Sequence, residues 1–176
     1  MVDVTGNTHR AEICLDKLYS PDHMYGRLGL VELRSFEMPA TAKLNLLQHL
    51  LLRAIVLRCW QQPYAARLIR WGTALHDKFM LPYYIWHDFE TVLYDLQQHQ
   101  IDLEPQWYKP FLENRFPLIG EVTVENIQLN LRFAAEPWLV LGEQAMAGTT
   151  SRPVDSATER LQVEIIGQLE DRYKVL

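Results

Sequence analysis

Cysteine is scarce, with only Cys14 and Cys59 in 176 residues. Their spacing matches no metal or redox motif, which excludes a disulfide scaffold and a zinc module and marks both as reduced thiols of a cytoplasmic protein. Clusters of Lys and Arg are missing too. The net charge of −5 argues against a nucleic-acid-binding surface. Long apolar runs are absent: Leu44 to Leu57 is broken by Gln48, His49 and Arg53 and is too short to span a bilayer. The opening Met1-Val-Asp-Val-Thr-Gly-Asn lacks the basic start of a signal peptide. What remains is a globular composition, 48% hydrophobic and 22% charged, with five Trp, eight Tyr and six Phe for a core. The length suits one domain, or one with a small extension.

Charge and hydropathy alternate at strand period in two early stretches. From His9, Arg10, Glu12, Cys14 and Asp16 share one face while Ala11, Ile13 and Leu15 share the other. In Leu30-Val-Glu-Leu-Arg-Ser-Phe, Val31 and Leu33 mark a face that packs on a core, and Glu32 and Arg34 lie opposite, roughly 6.6 Å apart along the strand. Joined by a short connection with Gly26 and Gly29, the two stretches read as antiparallel neighbours. Pairing would gather Arg10, Glu12, Asp16, Glu32 and Arg34 on one surface, where carboxylates and guanidinium groups could grip one ligand from two sides. Taken alone, the second stretch reads equally as a solvated ion pair on an exposed strand.

Thr41 is a candidate N-cap for a helix that Pro63 stops. Leu44, Leu47, Leu51, Ala54 and Ile55 form its stripe, and Leu46, Leu50, Leu52, Val56 and Leu57 widen that stripe almost all round, which reads as a central, buried helix. Arg67–Phe79 reads as a second helix, and after a break at Pro82, Tyr84–His99 as a third with Ile85, Phe89, Val92, Leu93 and Leu96 inward. His76-Asp77 and His87-Asp88 recur at helical spacing. The break at Pro82 favours helix-surface or capping roles over metal ligation. Trp71, Trp86, Trp107 and Trp138 read as core and interface pieces. Gly120–Arg132 alternates around a Glu125-Asn126 turn, a hairpin; 145–151 reads as small and flexible, and 160–166 alternates again. A start within a turn and an end within an apparent strand point to a piece of a larger protein. Cysteine-nucleophile chemistry finds no support, since Cys14 falls inside a strand and Cys59 on an apolar helix.

Several runs are long and distinctive: Val2-Asp-Val-Thr-Gly-Asn-Thr-His-Arg-Ala-Glu, Leu15-Asp-Lys-Leu-Tyr-Ser-Pro, Val31-Glu-Leu-Arg-Ser-Phe-Glu-Met-Pro, and Arg70-Trp-Gly-Thr-Ala-Leu-His-Asp-Lys-Phe-Met-Leu-Pro. Together with Glu136-Pro-Trp, Val154-Asp-Ser and Glu159-Arg-Leu-Gln-Val, they resemble the proposed amidoligase domain of large bacterial proteins that carry an N-terminal transglutaminase-like domain. The resemblance implies an α+β fold: antiparallel strands of a glutamine-synthetase-like catalytic sheet on a helical layer, then a β-rich extension. On that reading, residues 1–104 are the C-terminal part of the ligase domain, with strands 9–19 and 30–37 and helices within 41–99, and 105–176 is the extension. It further implies ATP- and Mg²⁺-dependent joining of a carboxylate to an amine through an acyl phosphate.

In glutamine-synthetase-like ligases a late strand carries a Glu-x-Arg pair followed by Pro and a buried helix, which Glu32-Leu-Arg34, Pro39 and the helix from Thr41 resemble. The resemblance assigns Glu32, with Glu12, to metal and Arg34 and Arg10 to phosphate, where a guanidinium fork binds two oxygens at once. His9 would contact substrate or nucleotide; Asp16, Lys17 and Glu37 are lesser candidates. The strands that supply most metal carboxylates in those enzymes have no counterpart here, and on this reading they lie upstream of Met1. The expected partners are the transglutaminase-like domain and small-molecule or peptide substrates, with no nucleic acid and no membrane. The rival reading is a non-catalytic module that positions or regulates the transglutaminase-like partner.

Overall fold

A computed structural model describes residues 13–15, 17–19, 27–67, 69–135, 139–140, 142, 144–146, 149–151, 153–155, 157 and 159–167. The chain divides into two compact units, one drawn from Met1–Met38 with Trp138–Ala157 and the other from Pro39–Pro137 with Thr158–Leu176. Helices and antiparallel strands occur together, an α+β architecture.

In the first unit, β1 (Ile13–Cys14) pairs antiparallel with β2 (Glu32–Leu33), Cys14 opposite Glu32 and Ile13 opposite Leu33. The expected neighbours therefore meet. One carbonyl organises the connection between them: the Lys17 oxygen accepts the N–H groups of Leu28 and Leu30, at 3.0 and 3.3 Å. Gly29, between those donors, turns the chain at φ 66°, a region side chains disfavour. Burial departs from the expectation. Ile13 is 56% exposed, and Leu15 and Val31 are exposed as well, while Cys14, from the charged face, is only 3% exposed. A ribbon of two residues per strand is too small to build a core beneath its apolar side. Within and beside the stretch read as small and flexible, β6 (Gln144–Met146) pairs antiparallel with β7 (Thr149–Ser151), and β5 (Leu139–Val140) pairs with β8 (Val154–Asp155).

The second unit opens with α1 (Ala42–Gln61), capped as its sequence predicts: the Thr41 hydroxyl accepts the Leu44 N–H at 3.3 Å. The helix is not buried all round, since only Leu44, Ala54 and Arg58 are buried while Leu46, Leu50, Val56, Leu57 and Trp60 are exposed. The second expected helix shrinks to α2 (Ala74–Phe79), because Gly72 at φ 56° turns the chain just before it. In α3 (Pro82–Gln98) the proline takes the first turn, where its missing N–H costs nothing.

The end of α3 follows from local chemistry. Gln100 adopts φ 63°, and the N–H groups of Gln100 and Ile101 return to the carbonyls of Gln97 and Leu96 at 2.9 and 3.0 Å. This is a Schellman cap, and its usual hydrophobic contact is met here by Ile101 joining Leu96 in the core. That core is Ala54, Leu93, Leu96 and Tyr108, flanked by Leu47, Leu51, Ile55, Trp86, Phe89 and Phe111. Tyr108 precedes α4 (Lys109–Arg115), and its ring meets Phe89 edge-on at 5.1 Å. Burial pushes the Tyr108 phenol up.

β3 (Leu118–Val124), β4 (Ile127–Phe133) and β9 (Leu161–Ile166) form one sheet in that order. The hairpin turns at Glu125-Asn126, with Glu125 at φ 54°. Gly167 is required at the end of β9, for a Cβ there would stand 2.6 Å from the Asn126 carbonyl oxygen. Polar side chains tie the sheet to the helices: Gln162 accepts the Tyr83 N–H at 2.8 Å, and Arg132 donates to Glu113 and to the Phe116 carbonyl. The face bearing Val122, Leu129, Leu131 and Val163 is apolar and holds a shallow depression of about 380 Å³.

Across the helices, Arg58 donates to both oxygens of Asp95, Nε at 2.6 Å and Nη2 at 2.9 Å. The Arg58 hydrogen bonds, then its charge, hold the Asp95 carboxyl below the ordinary 3.8. A depressed carboxyl favours the folded state above its unfolded pKa, and that contribution disappears as pH falls through the folded value. Stability of the wild-type chain should therefore fall as pH drops below 3.8, and this acid-sensitive component should be smaller in Asp95→Asn, as urea denaturation at a series of pH values would show. Relief of the left-handed strain at Gln100 is measurable in the same way: Gln100→Gly should stabilise the chain by about 1 kcal/mol.

Candidate functional site

Glu32 and Arg34 lie two residues apart, so their side chains leave the same face, as strand alternation predicts. They grip each other side-on: Arg34 Nε lies 3.1 Å from Glu32 Oε1, and Nη2 lies 3.1 Å from Oε2. The turn whose carbonyl anchors Leu28 and Leu30 also brings Lys17 Nζ within 3.6 Å of Glu32 Oε2. Glu32 is half-buried at most, with a side chain 39% exposed, and Arg34 is more enclosed at 25%. Hydrogen bonding from Arg34, then the charges of Arg34 and Lys17, lower the Glu32 pKa against the opposing effect of burial. Across the ladder the near neighbour is the buried Cys14 thiol.

The three side chains form a cation–anion–cation chain, two positive charges about one carboxylate. Both Glu32 oxygens are engaged by cations here, and Glu12, the other residue expected to hold a metal, lies outside the described residues.

Of the residues expected at the site, Glu32 and Arg34 come together, Lys17 joins them, and Glu37 is exposed further along the same segment. His9, Arg10, Glu12 and Asp16 lie outside the described residues. His87 sits on the exposed side of α3 with Nδ1 3.8 Å from Glu90. Trp71 meets Phe79 edge-on at 4.9 Å, and Trp86 stacks under Lys109 at 3.7 Å while donating to Glu90. The Arg58–Asp95 clamp was not legible in the sequence, because its members are far apart in the chain and nothing local links them. Cys59 is exposed and Cys14 is buried. Among the described residues no helix is long and apolar enough to cross a membrane.

The chain belongs to the family described as "Putative amidoligase enzyme", whose model matches residues 1–176. That membership supports an amide-forming, ligase-like function. Comparison with curated proteins and with solved structures gives no match.

If the Glu32 carboxyl is held down chiefly by Arg34, Arg34→Ala should raise its pKa toward the ordinary 4.5 while leaving the unfolding midpoint near wild type. A carbon-detected NMR titration of the glutamate side chains measures the first and a thermal melt the second.

Proposed function

We propose that the chain takes part in ATP-dependent carboxylate–amine ligation, with Arg34 and Lys17 receiving a phosphoryl group. The observation that carries this reading is the side-on Arg34–Glu32 pair with Lys17 against it, in a chain whose whole length matches the amidoligase family. Amide formation from a carboxylate needs a leaving group, and phosphorylation of the carboxylate supplies one. Transfer of a phosphoryl group depends on positioning and charge neutralisation more than on covalent chemistry. A guanidinium fork and an ammonium meet that demand. Without ligand, Glu32 neutralises the fork locally and keeps it ordered. When a phosphoryl oxygen arrives, Arg34 exchanges one pair of oxygens for another with the same geometry.

Arg10, Glu12 and His9 extend this assignment as proposals from the family pattern. Cys14, which faces Glu32 across the ladder, has the same strand parity as Arg10 and Glu12 in the sequence. Mg²⁺ held by Glu32 and Glu12 is a further proposal from the resemblance, one in which the cation would displace Lys17 and Arg34 from the carboxylate. Association with a transglutaminase-like domain likewise remains a proposal from the resemblance.

The role of Glu32 separates the anion-site reading from a metal-site reading. Calorimetric titration of the 176-residue chain with ATP in the absence of Mg²⁺ should show weak binding that declines with added salt. Arg34→Ala should abolish it. Glu32→Gln, which removes the competing charge, should strengthen it by about tenfold. ATP binding that is indifferent to Arg34→Ala would leave the pair as a solvated surface ion pair, and the reading would fail. In the full-length protein, Arg34→Lys should slow ATP-dependent amide formation by about a hundredfold, measured by phosphate release.

A further inference from the structure

The side of α1 turned away from the core carries an ordered pattern. Leu46, Leu50, Arg53, Leu57 and Trp60 are all exposed, Leu46 at 70% and Trp60 at 86%. Their spacing of four, three, four and three residues is that of a coiled-coil seam, the repeat that keeps one stripe in register with a partner helix. It covers two heptads, about 21 Å of helix. Lys43 and His49 flank the stripe, and α1 contains no Asp or Glu. The opposite side is held in place by the core and by the Arg58–Asp95 clamp, so the seam has a defined direction.

Arg53 occupies the middle seam position, and among the described residues no carboxylate pairs with it. A cation in a seam costs stability that an anion set opposite by the partner offsets, so such a residue selects partner and register. It also argues against a second copy of this chain. The seam is centred on Arg53, so a parallel in-register copy and an antiparallel copy centred there both bring Arg53 against Arg53. Like charges meeting in an apolar seam oppose association.

We propose that the outer face of α1 docks an amphipathic helix from another polypeptide, one with apolar residues at heptad spacing and a Glu or Asp facing Arg53. The four apolar side chains supply the buried surface. Arg53 supplies selectivity, and Lys43 extends the attraction to a further acidic residue at the rim. The proposal uses none of the residues of the ligase reading, so its success or failure does not depend on that reading.

A synthetic helix tests it: a fluorescein-labelled peptide with Leu at heptad spacing and Glu at the central seam position, titrated with the 176-residue chain and followed by anisotropy. A second peptide carries Lys in place of that Glu. The wild-type chain should bind the Glu peptide at least tenfold more tightly than the Lys peptide. Arg53→Glu, an exposed change that leaves the core intact, should reverse that order. Leu57→Asp should weaken both, with a helical circular-dichroism spectrum confirming that it folds. Equal affinity for the two peptides, or no binding of either, overturns the proposal. So does self-association in sedimentation that Leu57→Asp dissolves, because the seam would then be occupied by a second copy.

Discussion

The larger unit depends on the bidentate contact between Arg58 and Asp95. Arg58 sits in the last turn of α1 and Asp95 in the last turn of α3, and the guanidinium also donates to the Gln62 carbonyl at 2.9 Å. A single buried side chain thus caps one helix and joins it to another. The His99 ring, with Nδ1 2.7 Å from the Asp95 carbonyl oxygen and Nε2 3.2 Å from the Gln62 amide oxygen, closes the same corner from the other side. With the two helix ends pinned, Ala54, Leu93 and Leu96 meet Tyr108 at one place, and the orientation of α1 follows. A buried guanidinium left without its carboxylate would be costly, so the apolar core and the ionic clamp must form together.

A different constraint shapes the smaller unit. Among the described residues there is little apolar burial around β1 and β2, and backbone geometry organises their connection: a carbonyl at Lys17 shared by two N–H groups and a left-handed turn at Gly29. Those local contacts fix where the Lys17 ammonium can reach, and so they build the charged trio. A site assembled this way is partly exposed and polar. Family membership supports a ligase-like function, and the phosphoryl role given to this site is a proposal.

Much of the local structure was legible in the sequence because it depends on near neighbours. The Thr41 cap, the proline at the start of α3, the Glu125-Asn126 turn and the return of strand alternation at Leu161 each arise from a few adjacent residues. The shared face of Glu32 and Arg34 follows from strand parity in the same way, as does the pairing of β1 with β2. Other readings did not hold: the helix expected over 67–79 was shortened; Ile13, Leu15 and Val31, read as a core-facing set, are exposed; and the leucine-rich helix proved exposed on one side.

That last difference marks the boundary between sequence and tertiary structure. Composition and periodicity made α1 a helix with apolar residues around nearly its whole circumference, and no property of the isolated helix says which part is covered. The selection was made by Asp95, Leu93, Leu96 and Tyr108, residues remote in the chain that only folding brings against it. The same distinction holds at the charged site. Alternation put Glu32 and Arg34 on one side, but the depressed carboxyl and the trio's net positive charge arise from a turn that brings Lys17 across space. Hydrogen-bond periodicity is a short-range property that the sequence carries by itself, whereas burial and electrostatic surroundings are sums over distant groups and exist only once the chain has packed.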